Sequence, residues 1–520
     1  MSSRLAIVLL VGTALLAYAN SVGGGWVWDD YPLIVQKRAF YGDPANIPSA
    51  LISPDRALPE SGTSYYRPLA ALNYFADRAV FGVEPAGYHL ESVVLHIAIT
   101  VLFWHLLAGL FRDPQLALVA ALVFAVHPVN AEAVNFISAR NNLLCAVFML
   151  ASLDLLQRGR VGAVRIALAH GAFALALLAK EPAIVLPAFL VCTWRSDAFR
   201  GWRAVTVAGF GVISASYLVL RFFLLGHITA GQEFGSAGLG LPLAALYEDF
   251  RLLFFPLELN ALYRLRAVPL LSPRAAIVIL VLLALGFAAW RGPRPLRWAS
   301  AWTLLSLAPV ANIIPIPSAP VAERYLYIPA MGAALIAACG LRALSRVSRG
   351  AGFAVGALLL ALLLTQTVLR NGVWRDGETL ARSMIASDPW NTTPHVLLGI
   401  EHRRAGRYDD ALEAYGRALE LDPDNAWVYA NRGNVFLEQR DTERAMQSFE
   451  MALRLDPRKK AMIFHIGMAA EAGGKTAVAS DHYARFIEAA SAIPGSHHHF
   501  LIGEARARLA ALRGAEQGGN

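Results

Sequence analysis

The sequence predicts an all-α protein: a polytopic helical membrane domain of about eleven spans, followed by a C-terminal helical-repeat domain. Three observations predict it. Apolar runs near the ~20 residues that cross a bilayer recur from the N-terminus to about Arg370. Only 16% of the 520 residues are charged and mean hydropathy is +0.46, where a soluble globular protein carries about 25% charged residues. Beyond residue 390 the chain turns charged and amphipathic, and residues 393–425 align with 427–459 at a 34-residue period.

The spans are expected near 4–22, 89–111, 116–136, 141–157, 163–179, 182–195, 203–226, 275–290, 297–315, 324–342 and 352–370. The junctions at 136–141 and 179–182 are short enough for broken helices. Residues 5–19, "LAIVLLVGTALLAYA", follow Arg4 like a signal peptide, but the chain re-enters the membrane repeatedly, so an uncleaved first span is expected. Arginines test the order. With the N-terminus cytoplasmic, alternate connections carry Arg112; Arg158, Arg160 and Arg165; Arg195, Arg200 and Arg203; Arg291, Arg294 and Arg297; and Arg342, Arg346 and Arg349. The short opposite connections carry only Arg140, Lys180 and Arg324. This is the positive-inside asymmetry, and an odd span count places the C-terminal region outside the cytoplasm. Arg370 and Arg375 fall on the wrong side, flanking the long translocated domain. The same clustering explains the net charge of +8 and argues against a nucleic-acid partner. Cys145, Cys192 and Cys339 lie inside apolar runs and form no CxxC pair, so they read as small core residues.

The expected membrane domain covers 1–375, with long outer loops at 23–88 and 227–274. "SYYRPLAALNYFADRAVFG" and "LPLAALYEDFRLLFFPLELN" within them suit amphipathic helices at the interface. A linker is expected over 376–390 and a repeat domain over 391–513, with repeats near 392–425, 426–459 and 460–493. Gly399, Ala411, Tyr415, Ala418 and Pro423 match Gly433, Ala445, Phe449, Ala452 and Pro457; Gly467, Ala479 and Tyr483 continue a weaker third copy. That is the tetratricopeptide (TPR) pattern, in which small residues let paired helices approach around an aromatic ring. Such an array offers a groove to a protein or peptide segment; the bland reading is a structural appendage.

The outer face gathers polar groups from distant helix ends. Asp29 and Asp30 follow span one in "GGGWVWDDYPLIVQ", where Gly23 to Gly25 are expected to turn the chain and Trp26 and Trp28 to anchor it at the interface. Arg67 sits in "YYRPL", His89 opens span two and His96 lies two turns further in. "HPVNAEAVNFISARNN" brings His127, Glu132, Arg140 and Asn141; "AKEPA" brings Lys180 and Glu181; "AERYLYIP" brings Glu323 and Arg324. Ionisable groups at a membrane are functional candidates. Each also has a plainer reading: Asp29 as a solvated acid or an N-cap, His96 as a core residue, His127 as a helix cap, and Lys180–Glu181 and Glu323–Arg324 as local ion pairs. His127 and Glu132 lack HExxH spacing, no phosphate-cradling Gly loop or GxSxG elbow occurs, and "SHHHF" near the C-terminus reads as a solvent-facing tract.

An acid pair beside several cations at a membrane surface can run one chemistry well. A carboxylate takes the proton of an acceptor hydroxyl, while Arg and Lys hold a phosphate leaving group. A donor joining a lipid tail to a phosphate would set its head there and its tail among the helices. That is glycosyl transfer from a polyprenyl-phosphate sugar. "WVWDDYPLI", "SYYRPLAAL", "HPVNAEAVNFISARNNLL", "AKEPA" and "AERYLYIP", in this order and followed by TPR repeats, resemble the transmembrane and TPR-repeat-containing O-mannosyltransferases of the GT-C glycosyltransferase group. The resemblance spans nearly the whole chain. It implies a GT-C-type membrane domain, a catalytic acidic motif at Asp29 and Asp30 with Asp29 as base, a lipid-phosphate mannose donor, Ser or Thr acceptors and an inverting displacement.

Arg324 is the foremost candidate for the donor phosphate, with Arg140 and Lys180 behind it; Arg67, His89, His127, Glu132, Glu181 and Glu323 complete the candidate binding set. No cofactor is required; paired aspartates can hold a divalent ion, but the resemblance implies none. The chain departs in having two clear repeats and one degenerate one, and its Ala/Arg/Gly-rich composition suggests a bacterial inner-membrane relative. An undecaprenyl-phosphate sugar other than mannose, and an acceptor other than protein, then stay open. Rival readings are a transferase acting on lipid or polysaccharide, a non-catalytic TPR scaffold in the membrane, and a transporter, which would need its polar groups nearer the midplane.

Overall fold

The computed structural model describes residues 2–52, 55–58, 63–157, 162–193, 203–225, 238–314, 316, 319–491 and 499–518. Arg158, Arg160, Arg195 and Arg200, residues 227–237 of the second outer loop, and Ser496 to His498 of the histidine tract lie outside them. The chain divides into two compact units, one of residues 1–57 and 64–376, the other built on 377–520.

The regular structure of the first unit is mainly helical, and a short two-stranded ribbon pairs Asp55–Leu58 with Thr63–Tyr65. Seven described helices are long and apolar enough to cross a membrane: Ser3–Ser21, Pro85–Phe111, Ile137–Gln157, Ala204–Leu225, Pro273–Arg291, Tyr327–Val347 and Arg349–Val373. The expected span 116–136 is a broken one, Pro114–Ala125 and Pro128–Asn135 bent by 53°. Pro128 removes a helical N–H at the break, and His127 Nδ1 accepts from the Val129 N–H instead.

The remaining three expected spans are helices shorter than a full crossing. Ala163–Ala179 has 17 residues, Glu181–Cys192 is a short apolar helix and Arg294–Leu307 has 14. At about 1.5 Å per residue the first and last reach only about 26 and 21 Å, against a hydrocarbon core of about 30 Å. The break at 180 is local chemistry: Lys180 is extended (φ −161°, ψ 145°) and Pro182 follows in a 3-10 turn. The short helices nevertheless keep the alternation, because Lys180 sits beside Tyr325 at one end of the bundle while Thr193 shares a cavity with Phe111 and Trp298 at the other.

The core forms where small residues admit close packing. A Cβ on Gly332 would lie 2.2 Å from Thr303 Oγ1 and 2.8 Å from the Ala299 carbonyl, which brings Tyr327–Val347 tightly against Arg294–Leu307. Trp298 and Trp302 stack at 5.2 Å, Phe189 meets both edge-on, and Trp302 Nε1 donates to the Ile328 carbonyl at 2.8 Å. The two amphipathic loop segments are helices, Pro68–Phe81 and Gly240–Phe254. The first buries Tyr74 and Phe75 against Tyr41, at 5.6 and 5.2 Å, so its apolar face is turned to protein.

In the second unit the expected linker 376–390 contains the helix Gly377–Ser387. Three helix pairs follow, Thr392–Arg404 with Tyr408–Leu421, Ala426–Glu438 with Thr442–Leu455, and Ala461–Ala472 with Thr476–Ser491. The His499–Gly518 helix then closes the stack, burying Ile502 and Ala505 beside Phe464 and Phe486. The repeat logic is literal. A Cβ on Gly399, Gly433 or Gly467 would lie 2.3, 2.5 or 2.8 Å from the ring of Tyr415, Phe449 or Tyr483. The turn inside each pair needs one left-handed residue, and that residue is Gly406 (φ 74°), Arg440 (φ 62°) and Gly474 (φ 72°). Arg440 thus holds a conformation that its equivalents give to glycine, and its side chain is exposed. Arg440→Gly is expected to stabilise the repeat unit by about 0.5–1 kcal/mol, the relief of left-handed strain less the entropy a glycine loses. Denaturant unfolding of residues 377–520 checks it; an unchanged or lowered midpoint contradicts the strain argument.

Candidate active site

The acid segment is held from below by the first span and from the sides by two other elements. The Gly25 N–H donates to the Arg375 carbonyl at 2.8 Å, and the Gly25 carbonyl pairs with His89 Nε2 at 3.2 Å. Gly24 is needed for that approach, since a Cβ there would lie 2.9 Å from His89 Nε2. None of the three glycines takes a positive φ; the reversal falls on Trp28 at φ 47°, directly before Asp29. A non-glycine residue there stores strain beside the acids. The tryptophans also differ from expectation. Trp26 meets Tyr88 edge-on at 4.9 Å, and Trp28 stacks on Phe136 at 6.0 Å, which stacks on Trp374 at 5.5 Å. Both rings brace the segment against protein.

The two acids have opposite surroundings. Asp30 is fully buried, and its carboxylate accepts from the Ser138 N–H at 2.8 Å, the Ser138 hydroxyl at 2.6 Å and the Val27 N–H at 3.1 Å. Burial still pushes it up to about 7 against those three bonds. Asp29 is half-buried, and among the described residues its carboxylate accepts no hydrogen bond. Burial raises its pKa, Arg324 pulls it down and Glu132 pushes it up again.

Arg324, whose charge acts on Asp29, stands on a scaffold of its own. Its backbone N–H donates to Glu132 Oε2 at 2.8 Å and its guanidinium to Glu132 Oε1; Tyr325 and Phe136 flank the head at 5.1 and 5.9 Å. Lys180 shares the Tyr325 ring with Arg324, its Nζ 5.1 Å from the ring centroid and donating to Asn142 Oδ1 at 2.5 Å. Burial first, then Arg67 and Arg324, lower its pKa to about 7. Glu181 turns away from Lys180 and takes Arg221 at 2.6 Å and Arg67 at 3.2 Å, with Arg67 over the Tyr65 ring at 4.3 Å. Glu181 is held well below the usual carboxylate range by Arg67 and Arg221, against its burial.

Asp29, Asp30, Glu132, Arg324, Lys180, Glu181 and Arg67 therefore form one constellation. Four other candidates do not join it. Arg140 is buried and spent on Asp77, on Glu91 and Asn73 at 3.0 Å each, on Ser92 at 3.2 Å and on the Tyr88 carbonyl at 2.6 Å. His89 serves Gly25 as described. His127 caps its turn with one nitrogen and reaches the Leu253 carbonyl at 3.0 Å with the other. Glu323 pairs with Arg370 at 2.8 Å and accepts from Tyr263 at 3.0 Å. Both local ion pairs, Lys180–Glu181 and Glu323–Arg324, are thus replaced by long-range partners. Arg370, which offended the charge asymmetry, is neutralised by Glu323. His96 is a core residue bonded to Tyr327 and the Ala125 carbonyl.

Ser138, Asn142, Arg221, Asp77, Glu91 and Arg370 complete these networks and were not among the site residues expected from sequence. Ser138 and Asn142 lie two residues either side of Arg140, in a run that also holds Asn135 and Asn141; that density of neutral polar residues between apolar helices was the available signal. Among the described residues no group of three or more His, Cys, Asp or Glu side chains is arranged to hold a metal ion.

Family models for the "TPR repeat" and the "Tetratricopeptide repeat" match residues 399–439 and 428–459. The chain is 26% identical to a protein O-mannosyl-transferase of Caenorhabditis elegans, covering 80% of this chain and 63% of that one. It is 25% identical to human protein O-mannosyl-transferase TMTC3, covering 87% of this chain and 55% of that one. It therefore spans a little over half the length of these relatives. Among solved structures it aligns with ArnT from Cupriavidus metallidurans bound to undecaprenyl phosphate (19% identity, 85% of this chain, 79% of that chain, TM-score 0.41). It aligns also with the oligosaccharyltransferase AglB from Archaeoglobus fulgidus (13% identity, 78% and 59%, TM-score 0.40). The chain is thus similar over most of its length to protein O-mannosyl-transferases, among them TMTC3, and carries tetratricopeptide repeats toward its C-terminus.

Proposed function

We propose that the protein is a multi-pass membrane glycosyltransferase. It moves mannose or another hexose from a polyprenyl-phosphate carrier to an acceptor hydroxyl, a Ser or Thr of a protein, on the extracytoplasmic side. The observation that carries this reading is an uncommitted carboxylate, Asp29, facing a bed of cations in which Lys180, among the described residues, donates its side-chain hydrogen bond to a neutral partner, Asn142. In the reaction the acceptor oxygen attacks the anomeric carbon, its proton passes to Asp29, and the carbon–oxygen bond to the phosphate breaks, releasing polyprenyl phosphate. The sugar inverts because base and phosphate stand on opposite faces. Lys180, with Arg324 and Arg67 behind it, neutralises the charge that grows on the phosphate. Asp30 is a positioning residue that fixes the segment through Ser138.

The test is incubation of the purified protein with a panel of polyprenyl-phosphate sugars and periplasmic extract, following which label moves and onto what. Label on Ser or Thr of a protein supports the reading. Label on a lipid or polysaccharide replaces the acceptor, and no transfer from any carrier leaves a TPR scaffold.

Orientation and acceptor capture make one further prediction. The N-terminus is cytoplasmic and the repeat unit extracytoplasmic, in keeping with the clustering of Arg291, Arg294, Arg297, Arg342, Arg346 and Arg349 at the ends remote from the acids. A reporter active only in the cytoplasm, fused after Asn520, should be silent. Deleting 391–520 should weaken transfer to a full acceptor far more than transfer to a short one; equal loss on both would assign the repeats to folding alone.

A further inference from the structure

At the membrane face opposite the acids lies a second cavity that the transfer reaction does not use. The Pro85–Phe111 helix fixes the separation. His89 at its start touches the acid segment, and Phe111 at its end lines the cavity 22 residues later, about 33 Å along the axis. The cavity holds about 230 Å³ and is walled by Phe111, Thr193, Trp290, Arg294, Arg297 and Trp298. Its polar lining is one-sided. Trp298 is only 3% exposed, yet its Nε1–H has no hydrogen-bond partner, and the buried Arg294 Nε–H has none either. A buried donor left unpaired costs about 1–3 kcal/mol, so two beside one cavity call for an acceptor. Among the described residues no carboxylate pairs with Arg294 or Arg297. Asp113, at the end of the same helix as Phe111, is engaged by Arg342 and caps the next helix through the Leu116 N–H.

The surroundings narrow the ligand further. Trp290 and Phe287 are 61% and 64% exposed on the flank of an apolar membrane helix, beside the exposed Leu280 and Leu283. An occupant that satisfies both features has an anionic, acceptor-rich head and an apolar tail. Basic pockets between spans at this depth suit lipid head groups, and guanidinium groups bind phosphate as a fork. We infer that this cavity binds the phosphate of an anionic glycerophospholipid, with Arg294, Arg297 and the Trp298 indole as donors and the acyl chains along Leu283 and Phe287. The inference is independent of the sugar transfer proposed above.

The test measures lipid retention on the full-length protein by native mass spectrometry after purification from bilayers containing phosphatidylglycerol and phosphatidylcholine. Wild type should keep phosphatidylglycerol in preference. The double variant Arg294→Gln/Arg297→Gln should keep it about ten-fold less. Trp298 is left untouched because it stacks in the core on Trp302. A control pair, Arg346→Gln/Arg349→Gln, removes the same charge from the same face and should retain lipid like wild type. The charge-conserving pair Arg294→Lys/Arg297→Lys guards against misfolding of the double variant and should retain more phosphatidylglycerol than Arg294→Gln/Arg297→Gln; retention no better than that of the glutamine variant in a folded protein would overturn the phosphate assignment. Equal losses from both arginine pairs would mean diffuse attraction and overturn the site. So would equal retention of phosphatidylcholine. Displacement of the lipid by inorganic phosphate at matched concentration would assign the cavity to free phosphate and overturn the lipid.

Discussion

Asp29→Asn is expected to cut sugar transfer by about 10²–10⁴-fold, the usual worth of general-base assistance, while insertion in the membrane and donor binding persist. The geometry makes this substitution clean. The Asp29 carboxylate accepts no hydrogen bond among the described residues, so an isosteric amide leaves no donor stranded. What it removes is the proton acceptor. Burial and Glu132 raise the Asp29 pKa above the ordinary carboxylate value, against the pull of Arg324, which brings a weak base closer to working pH. Asp30→Asn is the informative contrast. Ser138 offers two donors and Val27 a third to that carboxylate, and an amide group must turn its own N–H toward at least one of them. The expected cost is about 1–3 kcal/mol of stability, with a smaller loss of rate. The acid limb of the kcat/KM profile should survive in Asp30→Asn and vanish in Asp29→Asn. Wild-type transfer by Asp29→Asn would take the base out of this segment, and an Asp30→Asn variant that is folded but dead would move it one residue along.

The contrast also marks what the sequence can and cannot carry. Local periodicity was legible. Gly399 against Tyr415 follows from spacing alone, because a 34-residue repeat and a helix pair impose the same close contact three times. Helix-end placement was legible too, since apolar runs fix which polar residues share a face. Partnership was not. Lys180 next to Glu181, and Glu323 next to Arg324, look like pairs in a string of letters. In the fold, an extended Lys180 and a 3-10 turn at Glu323–Tyr325 send neighbouring side chains to different elements, so that each charge meets one from a distant helix. Arg140 likewise pairs with groups from distant elements. Asp77, on the Pro68–Phe81 helix, and Glu91, on the Pro85–Phe111 span, hold its guanidinium. The glycine triplet misled differently. Its freedom of φ goes unused, and its value lies in the bare Cα of Gly24 that admits His89.

Lys180→Met should weaken donor binding by about 10–100-fold, the loss of a charge-assisted contact worth roughly 1.5–3 kcal/mol, with little effect on folding. The choice of residue follows from who is paired. Arg324, the foremost candidate from sequence, is the partner of a fully buried Glu132. Removing it strands that carboxylate at a cost of about 3–5 kcal/mol, so an inactive Arg324→Ala would report instability as readily as lost binding. Lys180 leaves behind only the amide of Asn142. Its pKa, lowered to about 7 by burial and by Arg67 and Arg324, adds a signature. Below that value the ammonium is charged and can hold a phosphate; above it the free enzyme loses the charge, so donor affinity should fall as pH rises through about 7. Binding of the anionic donor favours the charged form, so the fall should shift to higher pH in the complex. Together with the Asp29 limb this predicts a bell-shaped kcat/KM, whose alkaline limb is absent in Lys180→Met and whose acid limb is kept. Titration of donor binding against pH, in wild type and variant, separates these outcomes. If Lys180→Met binds donor like wild type and keeps the alkaline limb, the phosphate is held elsewhere, and Arg324→Lys, which preserves the charge facing Glu132 but removes the guanidinium fork, becomes the next variant to measure.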